Sequence, residues 1–103
     1  FGDIPIRVPV GSRLISVDTV VLDTAGATPY SVDLIKTTIA AGAAVVHLGT
    51  LTGGGTTGMV HHLITPAATE IAAPGVAYVL RVGDFFLSNN DFCQVTVTYD
   101  TKP

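Results

Sequence analysis

The chain has 103 residues, enough for one domain with one core. Hydrophobic residues make up 48% and charged residues 13%, with a net charge of −3; the charged share is about half of the roughly 25% found in average proteins. Five basic residues leave no cationic stripe for nucleic acid, and no apolar run reaches the ~18 residues of a membrane helix. The surplus apolar surface therefore needs cover, and a permanent protein–protein interface supplies it better than a transient one, which is hardly more apolar than ordinary surface. Cys93 is the sole cysteine, so no internal disulfide forms and the redox compartment stays open. The chain opens at Phe1 without a signal-like segment, as expected of a fragment or processed product.

Period-2 alternation dominates the chain, which predicts strands rather than helices. In "IPIRVPV" Ile4, Ile6 and Val8 face one way, with Pro5, Arg7 and Pro9 opposite. Prolines at that spacing suit an edge strand, where a missing donor faces solvent. After Gly11-Ser12, "LISVDTVVLD" places Ile15, Val17 and Val21 on one face. "AGATP" is a loop, and "YSVDLIKTTI" sets Tyr30, Val32 and Leu34 against Ser31, Asp33 and Ile35. "AAGAA" is the best candidate for a short helix, but Gly42 and its β-branched flanks favour a loop. "VVHLGTLT" and "MVHHLIT" then form a hairpin about the glycine run. "PAATEIAAPG" connects to "VAYVLRV", and the loop "GDFFLSNND" leads to the closing "FCQVTVTYD".

Seven or eight short strands in series predict an all-β, antiparallel sandwich or barrel spanning 1–103 as a single domain. Its expected core is Ile4, Ile6, Val8, Ile15, Val17, Val32, Leu34, Tyr78, Leu80, Val82, Cys93, Val95 and Val97.

Catalytic and ligand motifs are weak. "GGGTTG" matches G-x-G-x-x-G at Gly53, Gly55 and Gly58, yet "MVHHLITP" comes after it, β-rich and closed by Pro66. No helix N-terminus stands ready to hold a pyrophosphate. His61 and His62 are neighbours on a strand and leave opposite faces, so they cannot share one metal. His61 shares its face with Met59 and Leu63, His62 with Val60 and Ile64, and His47 lies across the expected hairpin from one of them. Ser12, Ser16, Ser31 and Ser88 sit in turns or on polar faces without a nucleophile elbow. Cys93 alternates with Val95, Val97 and Tyr99, which predicts a buried, inert thiol. The eight acids are scattered as solvated surface groups. Asp84, Asn89, Asn90 and Asp91 offer oxygen ligands for calcium but lack the EF-hand spacing, and such runs are ordinary turn chemistry. No catalytic residue, cofactor or metal site is assigned. Phe85 and Phe86, aromatic in a polar loop, either plug an end of the sandwich or anchor a partner.

The stretches "IPIRVPVGSRLISVDTVVLDTAG", "GVAYVLRVGD" and "VTVTYD", in that order, resemble small jelly-roll-like β-sandwich domains of tailed-phage virion proteins, of the head-decoration or tail-fibre-tip type. The resemblance covers about half the chain and excludes the part from Ala40 to Ala73. It implies a non-enzymatic structural or adhesive role in the virion, assembly with other virion proteins, and a homo-oligomer that is usually a trimer.

The residues themselves point the same way. In "VAYVLRV" one face carries Val76, Tyr78, Leu80 and Val82, while Ala77 and Val79 lie on the other beside Arg81. A two-layer sandwich buries one face per sheet, so the second apolar face is expected to be a subunit contact. The candidate interface residues are Val79, Arg81, Met59, His61, Phe85 and Phe86. The alternative is a carbohydrate-binding or adhesion module of a secreted or surface protein, with a glycan as ligand. Against it, the chain has no tryptophan, and Tyr30, Tyr78 and Tyr99 fall on expected core faces. Neither nucleic acid nor a membrane is an expected partner.

Overall fold

The computed structural model of the chain describes residues 2–23, 30–38, 44–53, 58–83 and 90–102. Within them the chain forms seven strands: β1 (Gly2–Ile6), β2 (Arg13–Asp23), β3 (Tyr30–Thr38), β4 (Val45–Gly53), β5 (Gly58–Ile64), β6 (Val76–Gly83) and β7 (Asn90–Asp100). They make two antiparallel sheets, one ordered β1-β6-β3-β4 and the other β5-β2-β7, packed as a β-sandwich. β3 and β4 are consecutive strands paired in one sheet; the other connections cross from sheet to sheet.

Alternation along each strand builds the core. Tyr30, Val32 and Leu34 of β3, Tyr78 and Leu80 of β6, and Val17 and Val21 of β2 interleave between the sheets, each at most 4% exposed. Ile6, Leu14, Ile64 and Ala72 complete the cluster. β1 is an edge strand, and Pro5 lies where the alternation puts it, on the outward face. Gly11, at φ +90°, makes the turn after it, where a side chain would be strained.

Three irregularities change the faces that simple alternation assigns. Leu14 pairs with Tyr99 and Ser16 with Thr98, leaving Ile15 as the extra residue of a bulge. Leu14 therefore turns into the core, while Ile15, expected there, is half-buried. A second irregularity passes from Val20↔Gln94 to Val21↔Phe92 and makes Cys93 the extra residue of a bulge in β7. Its side chain is exposed rather than buried. The third skips Leu48 of β4, between Leu34↔Gly49 and Ile35↔His47. Ile4, Val8, Val82, Val95 and Val97 pack against the core but are half-buried, because they lie on or beside the sheet edges.

The expected β4–β5 hairpin is also corrected. β4 pairs with β3 and β5 with β2, so the glycine-rich segment joins two sheets. His47 consequently lies across from Ile35, in the opposite sheet from His61 and His62. The glycines of β4 serve packing. A Cβ on Gly53 would overlap the ring of Tyr30, its cross-strand partner, and one on Gly49 would meet Ile64 Cγ2 at 2.5 Å.

Candidate functional site

The outer face of the larger sheet carries a polar row set by register: Asp3 beside Arg81, Arg81 beside Asp33, and Asp33 beside Thr50. Arg81 donates from Nε to Asp3 Oδ1 at 2.9 Å and from Nη2 to Oδ2 at 3.3 Å. That two-pronged bond holds the Asp3 carboxyl below its ordinary pKa and the guanidinium above its own. Asp33 joins His47 Nδ1 to Oδ2 at 2.7 Å and accepts from Thr50 Oγ1 at 2.8 Å. A carboxylate so placed orients an imidazole, as in a proton-relay couple. Here the couple stands on an open sheet face, and the Thr50 hydroxyl spends its proton on Asp33. Among the described residues no nucleophile completes it.

The outer face of the smaller sheet is more apolar. Met59, His61 and Leu63 alternate along β5 and are exposed, Met59 at 59% and Leu63 at 58%. His61 Nδ1 stands 3.2 Å from Asp18 Oδ2, and Asp18 Oδ1 is buried with no hydrogen-bond partner among the described residues. His62 leaves the other face of β5, as strand geometry requires, and enters the core. Its Nε2 lies 2.6 Å from the Tyr30 hydroxyl, with the rings edge to face at 5.3 Å. Burial lowers the His62 pKa by penalising the charged ring. Beside it Thr19, fully buried, donates its hydroxyl to the His62 carbonyl at 3.2 Å.

One end of the sandwich holds a second buried polar group, around Glu70. The connection between β5 and β6 folds back onto the start of β2, where Leu14 N–H donates to the Glu70 carbonyl and Ala72 N–H to the Ser12 carbonyl. This draws the Glu70 side chain, 8% exposed, under the sheet end. There it pairs with Lys36 Nζ at 2.5 Å and accepts from the Tyr78 hydroxyl at 3.1 Å. Burial first, and the Glu70 charge second, push the Tyr78 pKa up to about 12. Glu70 is thus no solvated surface acid, contrary to the expectation from spacing. Tyr99, expected on a core face, is 42% exposed where β7 ends.

The candidate interface residues divide between the two outer faces. Val79 and Arg81 lie on the larger sheet and Met59 and His61 on the smaller, so the fold does not bring the two pairs together. Phe85 and Phe86 lie outside the described residues, as do Asp84 and Asn89 of the suggested calcium set. Among the described residues no three His, Cys, Asp or Glu side chains gather closely enough to hold a metal ion. Sequence reasoning missed the Glu70–Lys36–Tyr78 group and the Asp33–His47–Thr50 group. The outward position of Asp33 in "YSVDLIK" was a signal for the second; the first depends on a loop fold that no periodicity reports. No family model matches this chain, and no curated protein or solved structure is significantly similar to it.

Proposed function

We propose that the chain is a non-enzymatic structural domain of a tailed-phage virion, in a capsid decoration or a tail fibre, that assembles as a symmetric homo-oligomer. The observation that carries the assembly is the pair Met59 and Leu63, two large apolar side chains more than half exposed on one sheet face. Between them His61 and the Asp18 carboxylate supply polar contacts. A soluble monomer rarely leaves such a face uncovered next to so few charges. The virion setting and three-fold symmetry rest on the resemblance of the strand sequences. Sedimentation equilibrium at micromolar concentration tests the assembly: a trimer mass that falls to a monomer in Met59→Asp/Leu63→Asp is expected, and a monomer mass for the native chain overturns it. Immunogold labelling of particles of the phage that encodes the chain tests the virion setting. A carbohydrate-binding role is the second reading, favoured by the exposed ring of Tyr99, and a glycan array tests that.

A further inference from the structure

The two sheets differ by one strand, and the difference leaves a slot. β4 lies against β5 at one side of the sandwich. Counting across from there, β3 faces β2 and β6 faces β7, which leaves β1 overhanging with no strand opposite it among the described residues. Burial records the gap. Val17, Leu34 and Leu80 at the centre are fully buried, whereas Ile4 and Val8 near β1 and Val95 and Val97 on β7 are half-buried. An open groove of about 500 Å³ lies where β1 ends, lined by Ile6, Val8, Val76 and Ala77, with Arg7 and Tyr99 among its walls. Alongside, the 11-residue strand β7 has β2 on one side and, among the described residues, no strand on the other. From Phe92 to Tyr99 it carries no charge and no proline, the usual devices that protect an edge. β1 has Asp3 and Pro5.

Charge says what fits. Arg7, Arg13, Lys36 and Lys102 cluster at this end of the sandwich with two carboxylates, Glu70 and Asp100. Lys36 is taken by Glu70, and Arg13 reaches Asp100 only at 4.0 Å, both half in solvent. Arg7 is exposed and forms no ion pair among the described residues. A chain of net charge −3 therefore presents a cationic end at the groove. We propose that the slot beneath β1 takes an extended acidic segment of a partner protein, which adds to the β7 edge as a fourth strand. Its alternate apolar side chains cover Val95, Val97 and Ile4, and its carboxylates meet Arg7. The β7 strand of a second copy does not fit. Antiparallel pairing about a two-fold axis would bring the second copy's own β1 and β6 into the space of β1 and β6. The occupant is a lone strand without a second layer, and it does not depend on the virion reading.

The probe is a synthetic peptide of about ten residues, alternating valine and threonine and ending in two glutamates, long enough to match a typical strand. Hydrogen exchange of the intact chain is monitored with and without it. The expected result is protection confined to β7 and β1, by about tenfold or more. Arg7→Glu, an exposed change whose fold is checked by circular dichroism, should weaken binding about fivefold or more. No binding at millimolar peptide overturns the proposal, as does equal binding of the lysine-ended analogue. Protection of β4 or β5 instead also overturns it. So does protection of β7 that grows with chain concentration alone, which would assign the edge to a second copy.

Discussion

Tyr30→Phe should expose the cost of the polar pair inside the core. The substitution keeps the ring, 2% exposed, and removes only the hydroxyl that lies 2.6 Å from His62 Nε2. His62, 8% exposed, is then left in the core without that partner. Stranding one half of a buried hydrogen bond costs about 1–3 kcal/mol. Of the roughly 5–15 kcal/mol that holds a domain of this size together, that is a large share. At about 2 kcal/mol the melting temperature should fall by roughly 8–16 °C. Urea denaturation and calorimetry measure both quantities. Replacing both partners, Tyr30→Phe with His62→Leu, removes the stranded group, so the double variant should lose less than the two single losses combined, by about 1 kcal/mol. If the single losses add to within about 0.5 kcal/mol, the two side chains are not coupled and the reasoning fails. The same pair gives a pH signature. Burial lowers the folded-state pKa of His62 beneath its unfolded value of about 6.5. As pH drops below that value the unfolded chain takes up the proton first, so stability falls until the folded value is passed. His62→Leu should remove this part of the pH dependence below about pH 6.5.

The opposite end of the pH scale reports on Tyr78: with its pKa at about 12 in the folded chain against about 10 unfolded, stability should decline as pH rises through that interval. Tyr78→Phe should flatten the alkaline decline in urea-denaturation midpoints. Gly53→Ala should cost about 1–3 kcal/mol, because the new methyl group overlaps the buried Tyr30 ring; an unchanged near-ultraviolet tyrosine spectrum with unchanged stability would show that the ring is elsewhere. The Cys93 thiol, exposed at the bulge, should be labelled by a maleimide in the native state. Slow labelling would restore Cys93 to the core and shift the register of β7.

The sequence alone determined the fold class, and the reason is the period of two. Val32 and Leu34, Tyr78 and Leu80, and His61 and His62 stand on the faces that alternation assigns, because successive residues of a strand leave opposite sides. The edge position of β1 was legible for a related reason: proline removes a ladder donor, and an edge strand has a side that needs none. The candidate site was less legible. One inserted residue switches the side on which its neighbours in the strand emerge. The bulges at Ile15 and Cys93 thus placed Leu14 inside and the thiol outside, and composition carries no mark of either. Strand pairing between distant segments lay equally beyond reach. A glycine run between two apolar stretches looks the same whether it turns a hairpin or crosses between sheets, and here it crosses. Tertiary structure alone decided that Asp33 meets His47, that Glu70 is drawn under Lys36 and Tyr78, and that no strand among the described residues lies opposite β1. The first follows from the β3–β4 register, the second from a connection that folds back onto β2, and the third from sheets of unequal strand number; local alternation reports none of them.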